Sequence, residues 1–221
     1  MKKLIEGLRK FQDEVFPAKR ELFEQLAGGQ QPSTLFVTCS DSRVVPDLFT
    51  QSEPGELFVI RNAGNIVPPY TRPSGGVTAT IEFAVVALGV RHIIVCGHTE
   101  CGAMKGLLHP EALSEMPTVA SWLQHAESTR RVVVDNCGDL DEKAMVNELI
   151  RENVLRQLQN LQTHPSIASG LAAGTLSLYG WVYDSSTGQV DSYDNEKQSY
   201  VRLDGSTVPH ATPSARSARK V

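Results

Sequence analysis

His92-Ile93-Ile94-Val95-Cys96-Gly97 runs directly into His98-Thr99-Glu100-Cys101. The first six residues form a continuous apolar run with β-branched side chains at its centre, too short for a helix. Such a run predicts a strand covered on both faces, because a strand with one wet face would alternate. Two similar runs lie upstream. Thr34-Leu35-Phe36-Val37-Thr38-Cys39 is closed by Ser40-Asp41-Ser42, and Leu57-Phe58-Val59-Ile60-Arg61 follows Pro54-Gly55. Between the second and third runs, Val77 to Leu88 carries apolar residues on nearly all sides and stops at Gly89. That pattern suits a helix buried against a sheet. Buried strands separated by helices predict an α/β fold with a mostly parallel central sheet.

The flanks extend this core. Residues 1–27 have a helical pattern, with Leu4, Leu8, Phe11 and Val15 spaced by three or four and Leu22, Phe23 and Leu26 resuming after Pro17. They predict an N-terminal helical arm broken at Pro17 and ended by Gly28-Gly29. Met145, Leu149, Val154, Leu155, Leu158 and Leu161 mark a long amphipathic helix over 141–161. Thr175 to Tyr183 and Gln189 to Tyr193 flank a turn at 184–188, predicting a C-terminal antiparallel hairpin strand. Residues 206–221 mix Pro, Ser, Ala and basic residues and predict a mobile tail. The expected organisation is one domain over 1–205, with 1–27 as its arm.

At 221 residues the chain can bury a core without disulfide staples. Its net charge of −4 supplies no general footprint for nucleic acid. Met1-Lys2-Lys3 opens like an export signal, but Glu6, Arg9 and Lys10 interrupt the apolar stretch such a signal needs. No window is apolar enough to span a membrane. The expectation is a cytoplasmic protein whose four cysteines are reduced, where clustered Cys and His point to metal or catalysis.

Cys39 and His98 both end apolar strands. In an open parallel sheet that edge carries ligands, because the following loops diverge there. His98-Thr-Glu-Cys101 brings a second sulfur within a turn of the imidazole. Two soft sulfurs and one imidazole suit Zn²⁺, and three protein ligands leave a fourth position for water. Asp41 and Arg43 follow Cys39 at alternate positions, so an extended segment would present all three on one side. Asp41 could act as a ligand, a base or an orienting acceptor. A guanidinium fork from Arg43 would keep it ionised and in one plane, which favours the acceptor role. The plain alternative is an ordinary strand-end salt bridge. Cys96, inside its strand, is expected to be a core thiol, and Cys137 a surface one. No other histidine receives a role.

At these residues the chain resembles the β-class carbonic anhydrases. Cys39-Ser-Asp-Ser-Arg43 and His98-Thr-Glu-Cys-Gly102 match the two family motifs, with Arg61-Asn-Ala-Gly-Asn65, Gly75-Gly76 and Gly180-Trp-Val-Tyr-Asp184 in order around them. The likeness covers roughly 1–205 and is nearest the bacterial members associated with cyanate breakdown. It implies Zn²⁺ on Cys39, His98 and Cys101, with Asp41–Arg43 as a gating pair. It also implies reversible hydration of carbon dioxide to bicarbonate by a zinc-bound hydroxide. The partners it implies are carbon dioxide and bicarbonate, and a second copy of the chain in a homodimer or dimer of dimers. Gln30 matches a position that binds substrate from the neighbouring subunit, and the Gly102 N–H matches a further donor. Ile66 and Val67, together with residues of a partner subunit, are expected to wall the apolar substrate. Competing readings are a hydrolase of carbon disulfide, a closed zinc or redox module recruiting Cys96, and a nucleotide-binding α/β protein. The last lacks any phosphate-cradling glycine motif after a strand.

Overall fold

The computed structural model describes residues 1–72 and 74–206. The chain divides into two compact units, one over Met1–Gln31 and one from Pro32 onward. The tail expected at 206–221 lies, from residue 207 on, outside the described residues.

The first unit is helical. It comprises α1 (Lys2–Lys10), a widened π turn (Phe11–Val15), α2 (Phe16–Ala18) and α3 (Arg20–Ala27). Pro17 has no N–H to offer the turn before it, and the backbone adjusts on both sides of it. The helix widens over 11–15 and is interrupted at Lys19 (φ −114°, ψ 24°), so the expected break is spread across 11–19. Phe16 and Phe23 stack at 5.0 Å, with Phe11 edge-on to both. Leu4, Ile5 and Leu8 are exposed.

The second unit contains the sheet. In chain order its elements are β1 (Thr34–Cys39), α4 (Pro46–Thr50), β2 (Leu57–Asn62) and α5 (Gly76–Glu82), which runs into a π turn (Phe83–Ala87). Then come β3 (His92–His98), α6 (Gly102–Leu108), α7 (Pro117–Leu123), α8 (Glu127–Asn136) and α9 (Glu142–Gln162). The order closes with α10 (Pro165–Ala173), β4 (Ser177–Tyr183), β5 (Val190–Asp194) and β6 (Ser199–Arg202). The strand order is β2-β1-β3-β4-β5-β6. The first four strands are parallel, and β5 and β6 return antiparallel. This is the expected α/β sheet with an antiparallel C-terminal edge, plus one further strand, β6.

Every residue of β1 is buried, and β3 is buried after His92, as their continuous apolar runs require. On one face Leu35, Val37, Ile93 and Val95 join the buried stripe of α9, including Leu149, Ile150, Val154 and Leu158. The helix sits close because glycine leaves it room. A Cβ at Gly97 would stand 3.0 Å from Val154 Cγ2, and one at Gly180 2.9 Å from Val154 Cγ1. On the other face Phe36, Ile94 and Cys96 form a smaller cluster, with Trp181 edge-on to Phe36 at 6.0 Å.

Three local expectations change. β2 is an edge strand and buries only Ile60. The all-round apolar helix over 77–88 buries Ile81 and Ala84 but leaves Phe83 and Val86 exposed, because one sheet face covers only one side of it. Cys137 is half-buried against the main core where α8 ends, not a surface thiol. No helix among the described residues is long and apolar enough to cross a membrane.

Candidate metal centre

Because β1 and β3 are parallel neighbours, their C-terminal ends lie side by side, and the register pairs Thr38 with Cys96. Cys39 and His98 therefore arrive at the same edge from adjacent strands. The chain then turns through Glu100, which takes a left-handed φ of +58°, and reaches Cys101 at the cap of α6. A non-glycine residue in that region carries strain, held here by bonds on both sides of Glu100. Its carbonyl accepts from Arg43 Nη2 at 3.1 Å and its carboxylate pairs with Lys105.

The donor atoms of Cys39, His98 and Cys101 lie within 4.8 Å of one another, and all three residues are buried. The two sulfurs are 4.0 Å apart. Two ligands about 2.3 Å from a tetrahedral ion would stand ~3.8 Å apart, so the spacing suits a shared ion. His98 Nδ1 donates to the Thr99 carbonyl at 2.9 Å, which directs the lone pair to Nε2. That Nε2 is buried with no hydrogen-bond partner. A polar atom so placed costs free energy unless a ligand completes it. As thiols the sulfurs divide one proton unequally. The S–H that Cys101 donates holds Cys39 below the usual thiol range, while that bond and burial push Cys101 up. A cation would displace the remaining proton. The residues fit a metal ion of soft-ligand preference.

Asp41 and Arg43 stand beside this cluster, but in a turn, with Val44 N–H bonded to the Asp41 carbonyl at 3.0 Å. The segment is not extended as the alternate spacing suggested. The turn lets the guanidinium fold back on its neighbour in a fork, Nε to Oδ1 at 2.9 Å and Nη2 to Oδ2 at 2.7 Å. The fork holds the Asp41 carboxyl well below the usual carboxylate range. Oδ2 is 4.0 Å from His98 Nε2. A carboxylate there is ionised, planar and aimed at the donor cluster.

The carbonic anhydrase family model matches residues 34–190 of the chain. The solved β-carbonic anhydrase CcaA superposes with a TM-score of 0.90 at 52 % identity, over 92 % of each chain. The chain belongs to the β-class carbonic anhydrases. A carbonic anhydrase of Synechocystis sp. is 54 % identical over 202 residues, 91 % of this chain and 74 % of its own. A structure from work on two tetrameric β-carbonic anhydrases of Sordaria macrospora aligns at 31 % identity and TM-score 0.70, over 86 % of this chain and 92 % of that one. As a member of this enzyme family, the chain carries its Cys/His/Cys group where β1, β3 and α6 meet.

The remaining expected residues are placed as follows. Gly102 is exposed as the first residue of α6, and the space where a Cβ would stand is open. Gln30 is exposed near the end of the first unit. Ile66 and Val67 are fully buried in the core cluster that includes Cys39 and Cys101. They back the centre rather than wall an open cleft. Cys96 lies on the opposite sheet face, where burial pushes its thiol up to about 12, and it is not part of the donor group.

The sequence reading missed the supports. Arg61 donates Nε to the Cys39 carbonyl at 3.1 Å and Nη2 to the Asp41 carbonyl at 2.7 Å, tying Cys39 to the carboxylate turn. Gly64 N–H donates to Cys39 Sγ at 3.4 Å. Asn153, Gln157 and Asn160 of α9 hold the segment that carries Gly64. Their spacing of four and three inside an apolar stripe was the available signal.

Proposed function

We propose that the chain catalyses the reversible hydration of carbon dioxide to bicarbonate and a proton, with Zn²⁺ held by Cys39, His98 and Cys101. One observation carries the reading: the unpartnered, buried His98 Nε2 faces two sulfurs at metal-ligand spacing. That donor set favours zinc over harder cations, and three ligands leave a fourth position open. When bound, zinc would supply a Lewis acid that lowers the pKa of water, less strongly beside two thiolates than beside neutral ligands, so activity should rise towards alkaline pH.

The chain's own side chains orient the reactants. Asp41, ionised under the Arg43 fork, accepts hydrogen bonds but gives none at neutral pH. A reacting water therefore points its hydrogen at Oδ2 and turns its lone pair towards the carbon of carbon dioxide. Arg43, bonded also to the Glu100 carbonyl, holds the carboxylate away from the donor cluster. The Gly102 N–H and the amide of Gln30 from a neighbouring subunit donate to the oxygens of the bicarbonate formed. This last role requires a homodimer or a dimer of dimers, in keeping with the tetrameric Sordaria relatives. The chain is read as one domain over 1–205 with its helical arm, cytoplasmic, and nearest the cyanate-associated bacterial members over 36–46 and 50–68.

Stopped-flow hydration combined with metal analysis tests the reading. Wild type should carry about one zinc per chain and hydrate carbon dioxide. Cys39→Ala, His98→Ala and Cys101→Ala should each lose metal and nearly all activity, while Cys96→Ala keeps both. Near-stoichiometric zinc in any of the first three refutes the ligand set.

A further inference from the structure

Helix α9 buries Asn153 and Gln157 within a stripe otherwise filled by Leu149, Ile150, Val154, Leu158 and Leu161. A buried primary amide is costly unless its hydrogen bonds are completed. Here they are made to one another and to one target, the irregular segment that follows β2. Asn153 Nδ2 donates to the Gly64 carbonyl at 3.0 Å. Gln157 donates from Nε2 to Asn153 Oδ1 at 2.8 Å and accepts the Val67 N–H at 2.9 Å. Asn160 Nδ2 reaches the Val67 carbonyl at 2.8 Å and Gln157 Oε1 at 3.2 Å. From the other side, Asn62 brackets Ile66, donating to its carbonyl at 2.9 Å and accepting its N–H at 2.8 Å. The segment is held in register along its length, and it directs the Gly64 N–H at the Cys39 sulfur.

We propose that Gln157, the hub joining Asn153, Asn160 and Val67, is a positioning residue for the metal centre. Through this amide chain it sets the Gly64 N–H on Cys39 Sγ and so tunes that sulfur as a ligand. The inference rests on the metal reading given above. An N–H donated to a thiolate draws electron density from the sulfur and weakens its donation, leaving the bound cation a stronger Lewis acid. Two thiolates cancel a divalent charge, so this centre gains from such a bond. Outer partners of this kind set ligand orientation and basicity, and losing one changes metal affinity by about 10- to 100-fold.

The test uses Co²⁺, whose sulfur-to-metal charge-transfer band reports on the thiolates. Band energy and Co²⁺ affinity by chelator competition are measured on wild type, Cys39→Ser, Gln157→Leu, Asn160→Ala and Leu161→Ala. Gln157→Leu should move the band to lower energy and change affinity about 10- to 100-fold. Asn160→Ala should shift it less, in the same direction. Leu161→Ala opens a cavity on the same helix and should lower the melting temperature while leaving the band in place. A folded Gln157→Leu with wild-type band and affinity overturns the proposal. If that variant does not fold, an unmoved band in Asn160→Ala overturns it. An equal shift in Leu161→Ala does the same, since general loosening would then explain the effect. If wild type shows no band that Cys39→Ser diminishes, the metal reading itself falls and takes this inference with it.

Discussion

Replacing Gly64 by alanine adds one methyl group at a point where neither the backbone nor the surroundings accept it. Gly64 has φ +80°, and a left-handed residue with a Cβ costs roughly 1–2 kcal/mol. The new Cβ would stand 2.9 Å from Met104 Cε and 3.2 Å from Ala103 Cβ, both too close. Overpacking of this kind costs about 1–3 kcal/mol, moderated here because the methionine tip can swing aside. The sum is about 2–5 kcal/mol, against a typical net stability of ~5–15 kcal/mol. At ~2–4 °C per kcal/mol for a chain of this size, Tm should fall by about 4–20 °C. Ala103 and Met104 follow directly on Cys101, so relief of the clash displaces the segment on the metal side. That movement takes the Gly64 N–H off Cys39 Sγ. Thermal melts by circular dichroism, with zinc affinity measured on the same samples, check both parts. A variant melting within 2 °C of wild type with unchanged affinity would refute the steric argument and the coupling to Cys39 together.

Two further predictions follow from the geometry. In Arg43→Ala the freed Asp41 carboxylate should close on the metal as a fourth ligand and slow hydration about 10- to 100-fold, the range for lost outer partners. A crystal structure with Asp41 still free, alongside a wild-type rate, would reduce the fork to an ordinary surface pair. His164 is buried, bonded from Nε2 to the Pro68 carbonyl at 3.0 Å, and burial lowers its pKa. The unfolded chain therefore takes up this proton first. The His164 contribution is complete above the unfolded value near 6.5 and is lost as pH falls through the lower folded value, at no more than about 1.4 kcal/mol per pH unit. Urea midpoints at pH 7.5 and 5.5 should differ more in wild type than in His164→Gln, and equal differences would place the effect elsewhere.

Cys39 and His98 were legible because both end strands that are buried on two faces, and such strands leave an uninterrupted apolar run in the chain. The nearness of Cys101 to His98 was legible from their short spacing alone. The pairing of Asp41 with Arg43 could be read, but its geometry could not, because alternate spacing fits an extended strand as well as a turn that folds back. Arg61 heads the family-like stretch 61–65, but its work could not be read, since its acceptors at Cys39 and Asp41 are backbone carbonyls that carry no residue-specific mark. Asn153, Gln157 and Asn160 were marked only by their spacing inside the apolar stripe of α9. Their partners lie about ninety residues away, beyond any local pattern. Gln30 is different in kind: the role implied for it needs a second copy of the chain.

Cys96 and Cys39 show how far the surroundings, rather than the residue type, decide this chemistry. Both are buried thiols on adjacent parallel strands, one position apart across the sheet register. Cys96 points into the face built by Phe36 and Ile94, and its S–H donates to the Gly97 carbonyl at 3.4 Å. Complete burial penalises the charged form and outweighs the charge-stabilising bonds from Tyr183 and Thr38, so Cys96 stays a neutral core thiol. Cys39 ends its strand on the opposite face. It receives an N–H from Gly64 and an S–H from Cys101, and both bonds stabilise negative charge on sulfur. A thiolate is the form a metal binds. The candidate metal centre therefore depends on the strand-end turns and on the segment clamped by α9, which together supply hydrogen-bond donors to Cys39.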